Sequence, residues 1–379
     1  MVAQSSSPGK PEQLSTRLIF FLAGAAMSAW APLVPFAKAR VHADAQTLGV
    51  VLLCLGAGSI ATMPFTAAMA SRFGCRGVVT AAAAVLCVTI PMLAIAPSVA
   101  TLAVSVLVFG AAIGTVDVTI NIQAVIVERA SGRAMMSGFH GLFSVGGIAG
   151  AGGVSAMLWL GASPLLAAGV IAVAVAALVF LACAHLLPYG DDSEAPWFAV
   201  PHGIVIFIGA LCFVSFLAEG AMLDWSAVFL TTQRAFHAAT AGLGYAVFAA
   251  AMTLGRLTGD RVVQALGARA VLTLGGLCAS LGLALAVLAP WQGAGLGGFA
   301  LVGIGASNIV PVLYSALGRQ SKVPLGAAVA AVTVLGYLGI LCGPALIGFA
   351  AQATNLSAAL LGVAALLLAV AASAPLVTR

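Results

Sequence analysis

The sequence predicts an all-α membrane protein: twelve transmembrane helices in two pseudo-symmetric six-helix bundles. Three observations predict it. The 379 residues are 62% hydrophobic and only 7% charged, whereas a soluble domain carries about 25% charged residues to meet water over its surface. Apolar stretches long enough to cross a bilayer follow one another along the chain, separated by short polar breaks. The second half also repeats turn and packing residues of the first at a fixed offset.

Charge scarcity is the strongest of the three. A globule of this size cannot be covered by so few charges, so its apolar surface must face lipid; the mean hydropathy of +1.16 says the same. A net charge of +5 would point to nucleic acid in a soluble protein. Here no basic run is interleaved with aromatics, and positive loops on one membrane face supply the excess. Nucleic acid is excluded as a partner. The seven cysteines stand singly, mostly inside apolar stretches, with no CxxC pair, and read as small buried hydrophobes. Five scattered histidines make no metal-ligand set, so no cofactor or metal is expected. Residues 1–16 are polar and read as a disordered cytoplasmic tail without a cleaved signal peptide.

Cutting at charges and at Pro/Gly turns gives spans at 17–37, 47–70, 77–96, 99–127, 134–159, 164–187, 202–231, 239–260, 269–290, 293–317, 325–351 and 355–376. The segment 188–201, with Asp191, Asp192 and Glu194, reads as a solvated cytoplasmic linker between a first bundle (17–187) and a second (202–379). With both termini placed in the cytoplasm, twelve of the fifteen Lys and Arg fall in inner loops or tails, Arg256 among them. Only Lys38, Arg40 and Arg234 fall outside. That sorting follows the positive-inside rule and implies a multi-pass protein of a bacterial inner membrane, in contact with lipid.

The repeat has an offset of 193 residues. Gly49 aligns with Gly242, Gly74 with Gly267, Arg76 with Arg269, Gly110 with Gly303, Gly146 with Gly339 and Gly150 with Gly343. One shared register across five helices requires matched loop lengths. Small residues four apart let helix backbones approach closely, and parallel repeats of this kind place a solute site between the two bundles.

The loop after the second span, Ala67 to Arg76, carries Arg72, Gly74 and Arg76, with Ser71 in place of an acid and Ala67 in place of a glycine. Its counterpart, GRLTGDRVVQALGAR, keeps Gly255, Gly259, Asp260, Arg261, Gly267 and Arg269. With twelve spans and two halves, these signatures resemble the major facilitator superfamily. GTVDVTINIQAVIVER (114–129), MSGFHGLFSVGG (136–147), AEGAMLDWSAVFL (218–230) and GYLGILCGPALIGF (336–349) resemble its fucose-permease-like branch. The resemblance implies a monomeric secondary transporter that rocks two bundles about a solute, with the first, fourth, seventh and tenth spans lining the cavity. It also implies gating roles at Arg72, Arg76, Arg256, Asp260 and Arg261. Sugar:proton symporters of that branch carry an acid in the first span, and this first span has none.

Ionisable residues at membrane depth are expensive and therefore functional candidates. Asp117, Glu219 and His140 are the candidates for proton coupling: burial disfavours an ionised carboxylate, and a carrier needs a group that takes up a proton on one side and releases it on the other. At 100° per residue, Asp117, Asn121 and Glu128 fall within about 40° of one face of the fourth span, with Gln123 elsewhere. Glu128 reads as a gate member beside Arg129 or Arg133. Asp224, beside Trp225, reads as pairing with an outer-end group such as Arg40 or as shaping the outer gate. Trp30, Asn121, Asn308 and Tyr314 are candidates for solute contact.

No Lys or Arg is expected deep within a span, which favours a small neutral polar or cationic solute. The expected function is thus proton-coupled secondary transport by alternating access. The alternative is a multidrug or metabolite efflux antiporter, although Gly150 to Gly153 lacks the proline of the family's antiporter motif. An enzyme would need a nucleophile with its base, or a ligand set at membrane depth, and the sequence offers neither.

Overall fold

The computed structural model describes residues 8–190, 202–237, 240–320 and 322–378. The tail residues 1–7 and most of the linker, including Asp191, Asp192 and Glu194, lie outside the described residues. In chain order the helices are α1 (Lys10–Ser28), a 3-10 turn (Ala31–Leu33), α2 (Val34–Arg40), α3 (Ala45–Ile95), α4 (Val99–Ser131), α5 (Met136–Trp159) and α6 (Pro164–Cys183). There follow α7 (Ile204–Gln233), α8 (Leu243–Leu288), α9 (Ala294–Ala306), α10 (Ile309–Leu317), α11 (Leu325–Ala353) and α12 (Leu356–Val377). Among the described residues there is no strand.

Among the described residues, ten helical stretches are long and apolar enough to cross a membrane, and two of them count double. Straight, the 51 residues of α3 would measure about 75 Å, more than twice a bilayer's hydrocarbon core. The helix turns at Gly74 (φ 71°, ψ 159°), and α8 turns at Gly267 (φ 80°, ψ 155°). Both backbones lie in a region that L side chains rarely adopt. The ten stretches therefore make twelve spans, and the two turning glycines stand 193 residues apart.

Two expected boundaries shift. Helix α1 begins at Lys10, inside the expected tail. Pro11 fits its first turn, and Glu12 reaches back to accept the Gly9 N–H at 2.7 Å, a cap that holds polar residues helical. The tenth span is interrupted at Ser307–Asn308, where Asn308 leaves helical geometry (φ −110°, ψ 2°).

The chain resolves into two compact units. One takes in the described residues of Met1–Arg133, Leu142–Val200 and Ser321–Ala330; the other takes in Ala134–Gly141, Pro201–Gln320 and Ala331–Arg379. The 193-residue register is visible inside each. In the first unit a side chain at Gly110 would collide with the Leu55 carbonyl. In the second, one at Gly303 would collide with the carbonyl of Phe248, 193 residues after Leu55. Arginines close the far helix ends in the same paired way. Arg40 donates to the carbonyls of Leu93, Ala94 and Ala96 at the end of α3 (2.6–2.9 Å). Arg234 donates to those of Ala286 and Val287 at the end of α8 (2.5–2.9 Å). A cation there satisfies terminal carbonyls and favours the negative helix end.

Candidate functional site

In the second unit, polar side chains from five spans meet at membrane depth. Glu219 lies midway along α7, and Arg256 lies thirteen residues into α8. Arg256 Nη2 stands 3.1 Å from Glu219 Oε1, with the two side chains only 9% and 15% exposed. The pair holds because each charge compensates the other; stripping one partner from a buried pair typically costs about 3–5 kcal/mol. Arg256 Nε also points at the Ser307 carbonyl (3.4 Å), at the interruption between α9 and α10. There Asn308 Nδ2 donates to the Gly255 carbonyl (3.2 Å) and the Ser307 hydroxyl (2.9 Å), while its buried Oδ1 has no hydrogen-bond partner.

His140, from the start of α5, lies within electrostatic range of Arg256, and its ring sits 5.8 Å from that of Tyr314 on α10. The Tyr314 hydroxyl shares a buried 2.7 Å hydrogen bond with the Thr333 hydroxyl on α11. The structure thus gathers Glu219, His140, Asn308 and Tyr314 in one unit, with Arg256, Ser307 and Thr333 beside them.

Arg256 corrects the sequence reading twice. It is not an inner-loop residue, so eleven rather than twelve basic residues remain on the expected inner side; the asymmetry against Lys38, Arg40 and Arg234 survives. It also overturns the premise that no basic residue lies deep within a span, on which a neutral or cationic solute was preferred. The signal was present, because position 256 falls inside the span drawn at 239–260. Ser307 and Thr333 were missed for want of any comparable mark.

The first unit holds the other candidates. Asn121 Nδ2 donates to the Asp117 carbonyl (2.9 Å) and carboxylate (3.2 Å) one turn back on α4, so the two share a face. Asn121 Oδ1 is buried without a hydrogen-bond partner, as is the indole nitrogen of Trp30. Gln123 points elsewhere: it donates to the Thr16 hydroxyl and accepts from the Leu187 amide, fastening α4 to the start of α1 and to the chain beyond α6.

The gating candidates divide. Arg76 anchors the Gly74 turn to the chain beyond α6, through the carbonyls of Ala184 (2.7 Å) and Leu186 (3.1 Å). Asp260 accepts the Gly138 N–H at 3.0 Å. Arg72, Arg129 and Arg261 are exposed, and Glu128 is half-buried in the last turn of α4. Asp224 is exposed on α7. The Arg40 guanidinium lies on the carbonyls at the end of α3. Among the described residues no three His, Cys, Asp or Glu side chains converge as metal ligands.

No family model matches the chain. It is 56% identical to an uncharacterized MFS-type transporter of Yersinia pestis, over 99% of this chain and 98% of that protein. It is 32% identical to the membrane protein MosC of Rhizobium meliloti, over 94% of this chain and 88% of that one. Among solved structures, the E. coli fucose:proton symporter superposes with a TM-score of 0.79 at 15% identity, covering 97% of this chain and 98% of the other; that likeness speaks for the fold. By its near full-length identity to an MFS-type protein, the chain belongs to the major facilitator superfamily, whose members are membrane transporters and not enzymes.

Proposed function

We propose that the protein is a proton-coupled secondary transporter of a small polar solute, working by alternating access. The observation that carries this reading is the Glu219–Arg256 pair, held at 3.1 Å in the middle of the membrane-spanning region. A carboxylate there is stable as an anion while the guanidinium faces it. Protonation removes the attraction, so one proton switches the pair between a closed, neutralised state and an open one. Asp117 with Asn121 is the second polar station, and His140, Asn308, Tyr314 and Trp30 supply solute contacts.

Two bundles, 17–187 and 202–379, would rock about the solute, in a monomer of the bacterial inner membrane. The bias of basic residues toward one side supports cytoplasmic termini. The buried Arg256 guanidinium removes the ground for a neutral or cationic solute.

Replacing Glu219 by Gln tests the reading. Proteoliposomes with Glu219→Gln should lose proton-driven accumulation while keeping solute counterflow, because exchange needs no net proton movement. Driven uptake at the wild-type rate would remove Glu219 from the coupling step.

A further inference from the structure

A serine or threonine hydroxyl within a helix commonly donates to a carbonyl one turn back. On α7, Thr231 and Thr232 do so, reaching the carbonyls of Ala227 and Val228. Ser215 and Ser226 do not. Both are buried, at 0% and 1% exposure, and neither hydroxyl has a hydrogen-bond partner among the described residues. They stand four residues before Glu219 and seven after it. At 100° per residue all three fall within about 40° of one face of α7. On that face Glu219 meets Arg256 of α8, and Ser226 packs on Gly244 in the first turn of α8. The two unsatisfied hydroxyls thus flank the carboxylate along the seam between α7 and α8.

We propose that Ser215 and Ser226 hold a file of water against Glu219, and that protons reach and leave the carboxylate along it. The proposal rests on Glu219 as the coupling group and adds positioning residues for the proton. A hydroxyl both donates and accepts, and buried water settles where polar groups lack other partners. Along the helix axis Ser215 is about 6 Å and Ser226 about 10 Å from Glu219. Hydrogen-bonded oxygens stand about 2.8 Å apart, so about one to three waters complete each link. The transfer balances: a hydronium at one end becomes water, each water passes one proton on, and the carboxylate becomes a carboxylic acid. Each serine hydroxyl ends with one proton, as it began.

The surroundings give the file an open end beside Ser226. Tyr245, next to Gly244, is partly exposed and lies in electrostatic range of Glu219, Arg256 and Asp224. Asp224 is itself exposed. On the other side of Glu219, Cys212 lies in its range from the turn before Ser215. His140 of α5 lies in range of Arg256, with the Tyr314 ring of α10 beside it. Tyr337 of α11 packs on Phe216, and α12 brings no acidic or basic side chain.

The test uses the full-length protein in liposomes. Infrared difference spectra identify the protonated carboxyl band of Glu219 as the one missing from Glu219→Gln, and a light-released proton starts its rise. Ser226→Ala and Ser215→Ala should each slow that rise about tenfold and leave the pH of half-protonation in place. Thr231→Ala, which removes a hydroxyl held by its own helix, should leave the rate unchanged. The wild type should also show a water band, identified by its shift in heavy-oxygen water, that changes with Glu219 protonation and is lost in Ser226→Ala. A wild-type rate in either serine variant, a shifted half-protonation pH at unchanged rate, or no water band would overturn the file and leave the coupling role standing. A Glu219 band that never titrates would overturn the coupling role, and the file with it.

Discussion

The two units hold the start of a helix in different ways around one repeat-related position, Asp260 in the second and Ala67 in the first. In the second unit, Asp260 accepts the Gly138 N–H in the first turn of α5, and Gln264 Nε2 donates to the Ala134 carbonyl just before it (3.3 Å). In the first unit, the start of α11 meets Ala67 and Ile122 at Gly326. Subtracting 193 from 260 gives 67, so the carboxylate and the alanine occupy the same place in the repeat. Likewise Gln264 corresponds to Ser71, whose hydroxyl turns back to the Ala68 carbonyl of its own helix (3.0 Å). A carboxylate at a helix start satisfies an orphan donor and complements the positive helix end; an alanine offers only contact. The repeat conserves backbone geometry, as at Gly74 and Gly267, and leaves the electrostatics of each junction to be set separately.

The largest expected effect breaks the junction sterically. A methyl group at Gly138 would fall on the Asp260 carboxylate, whereas one at Gly326 would stand 3.3 Å from the Ala67 side chain, a tight contact that a shift of a few tenths of an ångström relieves. Gly138→Ala should therefore cost about 2–3 kcal/mol, in the range for overpacking with loss of a hydrogen bond. Gly326→Ala should stay within about 1 kcal/mol. Thermal unfolding of the two purified variants, followed by size-exclusion recovery, separates them; equal losses would show that the carboxylate is not what makes the second junction tight.

Asp260 itself comes next. Asp260→Ala leaves the Gly138 N–H without its acceptor and should cost about 1–2 kcal/mol, the usual value of a cap of this kind. Asp260→Asn keeps an acceptor oxygen and should recover more than half of that. If the asparagine variant is as unstable as the alanine one, charge rather than hydrogen bonding holds α5. Amide exchange at the first turn of α5 reports the same distinction locally.

These contrasts also explain what was legible in the sequence. Gly74, Gly267, Gly110 and Gly303 could be read because each meets a backbone requirement that few other residues can satisfy. Asp117 and Asn121 could be placed on one face because helical period fixes it. Arg256 falls inside the span drawn at 239–260 yet reads as an inner-loop residue because it lies one turn from that span's edge, and only the continuation of α8 to its turn at Gly267 sets it deep in the helix. The chain from Arg256 through His140 to Tyr314 and Thr333 was illegible as a set. It depends on how α5, α8, α10 and α11 pack, and nothing local to Thr333 distinguishes it from other threonines that bond within their own helix. The early start of α1 was hidden by composition, since Ser, Pro and Glu look like a tail until Glu12 is seen capping Gly9.

The smallest predicted effect tests whether the two repeats also differ in how their long helices begin. Helix α3 starts on Asp44, whose carboxylate accepts the Thr47 N–H at 2.7 Å. Helix α8 starts on Gly242, with no side-chain cap. The backbone N–H and then the hydroxyl of Thr47 hold the Asp44 carboxyl below the usual carboxylate range. A group lowered on folding stabilises above its unfolded value and loses that contribution as pH falls through the folded one. Faster amide exchange at Thr47 in Asp44→Ala than in the wild type should thus be visible at neutral pH, begin to shrink only below about pH 4, and vanish once the pH has fallen through the lowered value of the folded state. Asp44→Asn should track the wild type at neutral pH and show no such convergence, because asparagine caps a helix about as well and does not titrate. Gly242→Asp should slow exchange at the start of α8 and give that repeat the acid sensitivity of the other. A Thr47 difference that persists unchanged into acid would mean that the Asp44 carboxylate is not the cap, and the two helix starts would then be equivalent.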